Sequence, residues 1–366
     1  MTEIIKGMDI SSIIEEEQCG ARYYDGGKEG SLLEILKRYG SNSVRIRIWN
    51  NPYSDDGRKY GAGTNDLARA LVIGKRAKTL GYSLLLDIQY SDFWADPGKQ
   101  NVPKAWQYMS EEELSTAVYE YTSTVINAFV EEEIAPEYIQ IGNEITNGLL
   151  WPTGKKPDFD NIAGYCSAGV KAVRNLLPSA KVVIHLDNGG NNPMYVEWFD
   201  NYFARGGDCD IIGLSYYPFW HGTIDMLEAN MRDIGARYGK ELVIAEVSSG
   251  FSMEDYRKYE GLPAGQLKGM ATRDSLVENV EYPMTPHGQA MFMERIMRLV
   301  KDVPGAIGFY YWEPGWIPVP GCGWATEAAL EYTKENGPGG NEWANQALFD
   351  YNGRVLEALG VIRDFR

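Results

Sequence analysis

The chain has 366 residues, 44% of them hydrophobic, and a formal net charge of −16. That excess of acid gives no basic footprint for a nucleic acid or an anionic membrane surface, so a neutral or cationic partner is expected. Three histidines without an H-E-x-x-H spacing exclude most zinc chemistry, and four scattered cysteines (Cys19, Cys166, Cys209, Cys322) are too few to staple a chain this long, which reads them as reduced or incidental.

The first residues show no basic segment followed by an apolar one, and no later window approaches the ~18 consecutive apolar residues of a membrane span. The expectation is a soluble chain: cytoplasmic if Met1 is the native start, secreted if an export segment has been trimmed.

Hydrophobic periodicity divides the chain into alternating strands and helices. A first strand is expected over residues 4–10. The second, 43–49, puts Val44, Ile46 and Ile48 on one face and Arg45, Arg47 and Trp49 on the other. A helix over 64–79 and a strand over 82–89 follow. Ser110 and Glu113 form a capping box ahead of a helix with Leu114, Ala117, Val118, Tyr121 and Val125 at helical spacing. The strand 138–142 breaks at once into the polar turn Asn143-Glu144. Beyond it come a helix at 162–177, a strand at 181–187, a helix at 194–204 and a strand at 210–216. Thr223 caps a helix with Ile224, Leu227, Met231 and Ile234 inward; 241–246 is a strand, and Thr285 with Pro286 opens another helix. The last strand is 306–312 and a helix near 354–364 closes the chain.

Eight such units argue for an α/β fold of the (β/α)8 TIM-barrel type, a single domain over residues 1–366, rather than an open sheet. Helix-to-strand joins are short (80–82, 178–180, 238–240, 304–305), whereas strand-to-helix joins are long (88–109, 247–284, 313–345). Long loops gathered at one end of a barrel form an active-site cleft. The loop 247–284, rich in charge and glycine at 252–281, is a candidate lid.

If the apolar face of 43–49 meets the helices, Arg45 and Arg47 point into the barrel, where a guanidinium needs a carboxylate or a ligand. One of the two is expected to reach solvent, Arg45 being the deeper. The same alternation puts Asp87 and Gln89, His185 and Asp187, Glu246, and Tyr310 and Trp312 inward at strand C-terminal ends. Within that ring, Glu144 ends the fourth strand and Glu246 the seventh. A glutamate after an apolar strand is often a solvated strand end, but a pair facing across a cleft suits glycosidic cleavage, one acid protonating the leaving oxygen while the other attacks or activates water.

Other motifs carry less. Gly61-Ala62-Gly63 lacks the rest of a dinucleotide fingerprint, and Gly213-Leu214-Ser215 lacks the second glycine of a nucleophile elbow, so Ser215 reads as structural. Asp92, Asp96, Glu254, Asp255 and Asp274 do not have calcium-loop spacing and read as solvated acids. Among 10 tryptophans, Trp94, Trp106, Trp151, Trp220, Trp312, Trp316 and Trp324 fall at or beyond strand C-termini, which favours a stacking cleft for a chain of sugars.

Several segments together resemble glycoside hydrolase family 53, the arabinogalactan endo-β-1,4-galactanases: Gly7-Met8-Asp9-Ile10-Ser11-Ser12, Ser43-Val44-Arg45-Ile46-Arg47-Ile48-Trp49, Ser91-Asp92-Phe93-Trp94-Ala95-Asp96-Pro97, Gln140-Ile141-Gly142-Asn143-Glu144, His185-Leu186-Asp187-Asn188-Gly189, Gly213-Leu214-Ser215-Tyr216-Tyr217-Pro218-Phe219 and Tyr310-Tyr311-Trp312-Glu313-Pro314. The resemblance implies a retaining hydrolase of internal β-1,4 bonds in galactan and galactooligosaccharides, acting without a required cofactor and as a monomer. It implies Glu144 as acid/base and Glu246 as nucleophile, with carboxyls ~5 to 5.5 Å apart. Arg45 is implied to keep Glu246 ionised, Asn143 to contact the neighbouring sugar and Trp312 to floor the cleaved subsite. Asp87, Gln89, Trp94, Asp187, Tyr216, Tyr217 and Trp324 complete the expected substrate-binding set. Gln89 stands where the family usually has histidine and Phe93 where it has threonine. The stretch Val247-Ser248-Ser249-Gly250 lacks the usual aromatic and proline, and the acidic spacing of a bacterial calcium site is missing. Alternatives are a retaining β-glycanase or β-galactosidase for another glycan, or a non-catalytic glycan-binding barrel.

Overall fold

The computed structural model of the protein describes residues 4–254, 256, 274–336 and 339–365. Numbering the barrel strands alone, β1 is Ile5–Asp9, β2 Ser43–Ile48, β3 Ser83–Ile88, β4 Tyr138–Ile141, β5 Lys181–Leu186, β6 Ile211–Tyr216, β7 Glu241–Val247 and β8 Ala306–Trp312. They pair in parallel in sequence order and β8 closes on β1, giving the expected eight-stranded barrel. The principal helices are α1 (Leu32–Arg38), α2 (Leu67–Thr79), α3 (Glu111–Glu131), α4 (Phe159–Leu176), α5 (Asn192–Ala204), α6 (Ile224–Tyr238), α7 (Pro286–Asp302) and α8 (Glu357–Asp364).

Each strand is buried on both faces, as a parallel strand between a core and a helix layer must be. Outward residues such as Val44, Ile46, Leu84, Leu86 and Ile88 join Ala70, Ile73 and Ala77 of α2 in one continuous core. Inward, Ile5, Leu85, Val183, Ile211, Val243, Ala245 and Tyr310 form an apolar plug. Gly7 makes room for it, because a Cβ there would meet the Tyr310 ring at 2.2 Å. Tyr310, expected at the polar end, thus lies deeper, bonded through its hydroxyl to Ser43 Oγ (2.8 Å).

Element ends move where a cap overrides the periodicity. Helix α2 starts at Leu67 rather than residue 64, since Thr64 sits at φ 47° and Asp66 accepts the Arg69 N–H. Helix α4 likewise starts after Asp158, which accepts from Asn161 N. Short elements without a readable period escaped the sequence: a helix at Ile13–Gln18, a hairpin of Tyr23–Asp25 with Lys28–Gly30, and a helix at Glu327–Thr333. Of the candidate lid over 247–284, residues 255 and 257–273 lie outside the described residues, and Asp274–Val277 forms one helical turn.

Candidate active site

Above the plug lies a layer of charge centred on Arg45, which is 1% exposed. All five guanidinium N–H groups are spent. One terminal nitrogen binds Asp9 Oδ2 (2.6 Å) and Glu246 Oε1 (2.9 Å), the other binds Asp87 Oδ2 (3.0 Å) and Asn143 Oδ1 (2.8 Å), and Nε donates to Gln140 Oε1 (3.2 Å). One cation facing three carboxylates cannot neutralise them all. Burial accordingly pushes Asp87 up to about 7 despite the attraction of Arg45.

Arg47 departs from expectation, for it does not reach solvent. It is equally buried, with one nitrogen on Glu313 Oε1 (2.6 Å), another on the Ala62 carbonyl (2.7 Å), and its guanidinium 4.3 Å from the Trp94 ring centroid.

Glu246 reaches the site through a bulge. Val243 and Ala245 point into the plug while Ile244 packs outward, so strict alternation would send Glu246 out. The pairing of β7 slips by one residue against both neighbours: Leu214 faces Ile244 but Ser215 faces Glu246, and Phe309 faces Ile244 but Tyr311 faces Val247. The extra residue turns Ala245 and Glu246 inward in succession. Glu246 then accepts from Arg45 and, at Oε2, from the Tyr217 hydroxyl (2.7 Å).

Glu144 is placed by a different device. Gly142 (φ 73°) and Glu144 itself (φ 47°) take left-handed backbone at the end of β4, which turns the chain sharply and costs about 1–2 kcal/mol at the non-glycine position. Tyr90, Asn188 and Glu313, just beyond β3, β5 and β8, share that conformation, and such strain gathers at functional sites. Glu144 Oε1 accepts from Ser215 Oγ (2.6 Å). Burial, then the nearby charges of Glu246 and Asp187, hold its carboxyl well above the usual range. Burial also raises Glu246, opposed by Arg45 and Tyr217.

Both glutamates line a cleft of about 340 Å³ walled by Trp94, Trp220, Trp312, Trp324 and Trp343 with Tyr217. Trp312 lies at the centre, its ring 6.2 Å from those of Trp94 and Trp343, 6.3 Å from Tyr217 and 5.7 Å from the buried Trp316 behind it. Trp106 and Trp151 are elsewhere: Trp106 packs on Tyr121, and Trp151 lies under Lys155.

Of the expected binding residues, Arg45, Gln89, Trp94, Asn143, Tyr217, Trp312 and Trp324 line the cleft. Gln89 has little left to offer a ligand, since its Oε1 accepts from Trp49 Nε1 (2.8 Å) and Ala95 N (3.1 Å) and its Nε2 donates to Asp87 (2.8 Å). Phe93 is buried behind it against Trp49 and Tyr60. Three expectations are corrected. Asp87 lies beneath the cleft, fully buried among Arg45, Gln89 and Gln140. Asp187 turns aside to Thr146, accepting its hydroxyl at 2.5 Å. Tyr216 points outward, its ring stacked on Phe292 of α7 and its hydroxyl on the Gly222 carbonyl, because Ser215 and Tyr217 take the inward positions of that alternation.

Sequence reasoning missed Asp9, Gln140 and Ser215 around the two acids, and Trp343 and Glu342 on the wall. Glu342 is buried there and pushed up to about 7 by that burial. Asp92 and Asp96 brace loops through the backbone N–H groups of Asn51, Lys104, Gly98 and Lys99. Among the described residues no group of three or more His, Cys, Asp or Glu side chains is arranged to hold a metal ion. The four thiols are free, and Cys322 donates to the buried Glu16 at 3.1 Å.

Arg45→Met strips the cation that Asp9, Asp87 and Glu246 share, leaving Asp9 a longer pair with Arg47 (3.8 Å). Denaturant titration should show a loss of about 3–5 kcal/mol, the cost of unpaired buried charge. In the protein that still folds, the acid limb of kcat/KM should move to higher pH, because Glu246 loses the charge opposing its protonation. Unchanged stability would remove Arg45 from the centre of this network.

The Glycosyl hydrolase family 53 model matches residues 5–362. An endo-beta-1,4-galactanase of Bacillus subtilis is 36% identical over 99% of this chain and 86% of its own length. An arabinogalactan endo-beta-1,4-galactanase of Humicola insolens is 33% identical over 97% of this chain and 98% of its own. Among solved structures, the GH53 catalytic domain of Ignisphaera aggregans superposes with a TM-score of 0.90 at 37% identity, covering 99% of this chain and 96% of that one.

Proposed function

Because the chain belongs to glycosyl hydrolase family 53, we propose that it cleaves internal β-1,4-galactosidic bonds in galactan and type I arabinogalactan, with retention of anomeric configuration. The observation that carries this reading is the unequal treatment of two carboxyls in one aromatic cleft. Glu246 is gripped by a buried cation and a phenol, whereas Glu144 has, among the described residues, only a serine hydroxyl and is pushed further than Glu246 toward its protonated form.

That inequality supplies the two roles. Glu246 attacks the anomeric carbon while Glu144 gives its proton to the departing glycosidic oxygen, so one C–O bond forms as the other breaks. Arg45 keeps the attacking oxygens anionic and aimed. In the second step Glu144, now a carboxylate, takes a proton from water as the water oxygen displaces Glu246 from the anomeric carbon. Trp312, flanked by Trp94 and Tyr217, offers the flat face on which the reacting sugar stacks. The chemistry draws on no cofactor. A neutral polysaccharide also suits a chain of net charge −16, which has no repulsion to overcome. The acids and the aromatic wall come from one chain, and a monomer is expected to act alone.

Assay on galactan beside mannan, xylan and cellulose tests the substrate. Galactan should be preferred in kcat/KM by about 10²-fold or more, the discrimination available to a site that hydrogen-bonds sugar hydroxyls. Preference for another chain would leave a retaining glycanase of different specificity. Activity on none of them would favour a non-catalytic binder. Proton NMR of the first products should show the β-anomer, and initial α-anomer would contradict a nucleophilic Glu246.

A further inference from the structure

Behind Glu144 lies a short line of hydrogen bonds that the two carboxylate roles leave unused. Ser215 Oγ lies 2.6 Å from Glu144 Oε1 and 2.8 Å from His185 Nε2. His185 Nδ1 in turn lies 3.1 Å from Gln140 Nε2 and 3.0 Å from Asn143 Oδ1. All five side chains are buried, yet Glu144 Oε2 makes no hydrogen bond among the described residues and is not a buried atom. It is the oxygen open to the cleft that Glu144 lines.

We infer that Ser215 and His185 form a one-way donor chain that occupies Glu144 Oε1 and so places the acid proton on Oε2, facing the substrate. The inference rests on Glu144 being the acid/base. Ser215 has one hydroxyl proton and two acceptors in reach, so the imidazole tautomer decides where that proton points. With the ring proton on Nε2, the ring donates to Ser215, Ser215 donates to Oε1, and a protonated Glu144 must carry its proton on Oε2. With the ring proton on Nδ1, Ser215 turns toward the ring and Oε1 must hold the proton, buried and useless to a leaving group.

The charge that Glu144 carries between the two steps selects the first arrangement. The amides beside Nδ1 cannot flip: Gln140 Oε1 accepts from Arg45 Nε while its Nε2 donates to Asp87 Oδ1 (2.7 Å), and Asn143 Nδ2 donates to the Ala95 carbonyl (2.9 Å). Gln140 Nε2 therefore has a second proton within reach of Nδ1, of the Gly142 carbonyl (2.9 Å) and of Asn143 Oδ1 (3.1 Å), and Asn143 Oδ1, which already accepts from Arg45, also faces Nδ1, so these amides accommodate either tautomer and the choice falls to the Ser215 end of the chain. Once Glu144 has released its proton, a charge-assisted bond from Ser215 to the carboxylate outweighs one to a neutral imidazole. The same direction thus serves both protonation states, with nothing to reorganise between the two chemical steps. Burial, with the charges of Arg45 and His221 in reach, depresses the basicity of His185 well below the ordinary range, so the ring carries one proton. The remaining charges that face Glu144 are Glu246 on β7, Asp187 after β5 and Asp96 after β3, all acidic, and none can donate in place of Ser215 when ionised.

Ser215 and His185 are positioning residues, and their test is a change in leaving-group and pH dependence. Ser215→Ala should lower kcat/KM on galactooligosaccharides by about 10- to 100-fold, part of what a positioned acid contributes. With a dinitrophenyl β-galactobioside, whose leaving group departs unprotonated, the loss should stay within about threefold, because proton transfer no longer contributes to that step. The basic limb of the galactooligosaccharide profile should move to higher pH, since the donor that favours ionised Glu144 is gone. Ser215→Thr, which keeps the hydroxyl, should restore both. Equal losses on the two substrates, or an unmoved limb, would overturn the chain. A measurement on the unaltered protein stands apart from any folding defect: imidazole ¹⁵N shifts of His185 should show Nε2 protonated and Nδ1 bare from about pH 5 to 8, and the opposite tautomer would overturn the inference outright. Glu144→Ala separates this from the reading beneath it. If that variant loses kcat/KM on the activated and natural substrates alike, the acid/base assignment fails; if it spares kcat/KM on the activated one while Ser215→Ala shifts neither readout, only the donor chain fails.

Discussion

Glu246→Ala should reduce kcat on galactan by on the order of 10⁵-fold, the scale on which loss of a nucleophile is felt when no other group forms the intermediate. Among the described residues, the acids around the Arg45 cluster are engaged elsewhere. Asp9 and Asp87 are bound by Arg45 below the cleft, and Glu144 is held away by Ser215. The variant should nonetheless fold well. Arg45 keeps Asp9, Asp87, Asn143 and Gln140, and removing one of the three carboxylates around it relieves like-charge repulsion that raises the proton affinity of Asp87. Added azide has room to attack the anomeric carbon from the vacated side, and the product should be the α-galactosyl azide, inverted relative to the substrate. Turnover near that of the unaltered protein would show that Glu246 is not the nucleophile.

How far the sequence could carry the site differs from residue to residue. Arg45 and Arg47 were legible because β2 is a regular strand whose apolar residues alternate without interruption. The partner of Arg47 was not, since Glu313 lies 266 residues away and a lone arginine at a strand end looks solvated until that contact is known. Glu246 was expected to face inward by alternation, and it does so because a bulge breaks the alternation at Ala245. Tyr216 and Tyr217 are adjacent tyrosines of which only one can face the barrel, and the inward position of Ser215 settles which. That position could have been read from Gly213, Ser215 and Tyr217 alternating with Ile212, Leu214 and Tyr216. Asp9 and Gln140 offered no such signal: their importance comes from a shared cation on β2, and pairing across a barrel leaves no mark on local sequence. Trp343 and Glu342 come from a long loop with no period to read.

Glu144→Ala should cost about 10²- to 10⁴-fold on galactan, the usual contribution of a positioned general acid, while formation of the glycosyl-enzyme from a dinitrophenyl galactoside survives. That intermediate should then accumulate, and azide should release it as the β-galactosyl azide, the anomer opposite to that from Glu246→Ala. The pH profile of the unaltered protein follows from the same assignment. In the free enzyme kcat/KM rises as Glu246 loses a proton and falls as Glu144 loses one, the two apparent values belonging to the interacting pair. Burial raises both carboxyls, but Arg45 and Tyr217 restrain Glu246 while Glu246 and Asp187 push Glu144 further, so the active window opens above the ordinary carboxylate range. Stability should move the other way. A native-state value above the unfolded one means that the folded protein holds the proton more tightly, so ionised Glu144 costs stability above its native value, and the cost vanishes as pH falls to the unfolded value. Glu144→Gln removes a group that must ionise in a buried, acid-rich pocket, and its gain in Tm over the unaltered protein should therefore grow with rising pH. A gain that is flat with pH would mean that Glu144 does not titrate at a raised value, and a basic limb that persists in Glu144→Gln would assign the acid to another residue.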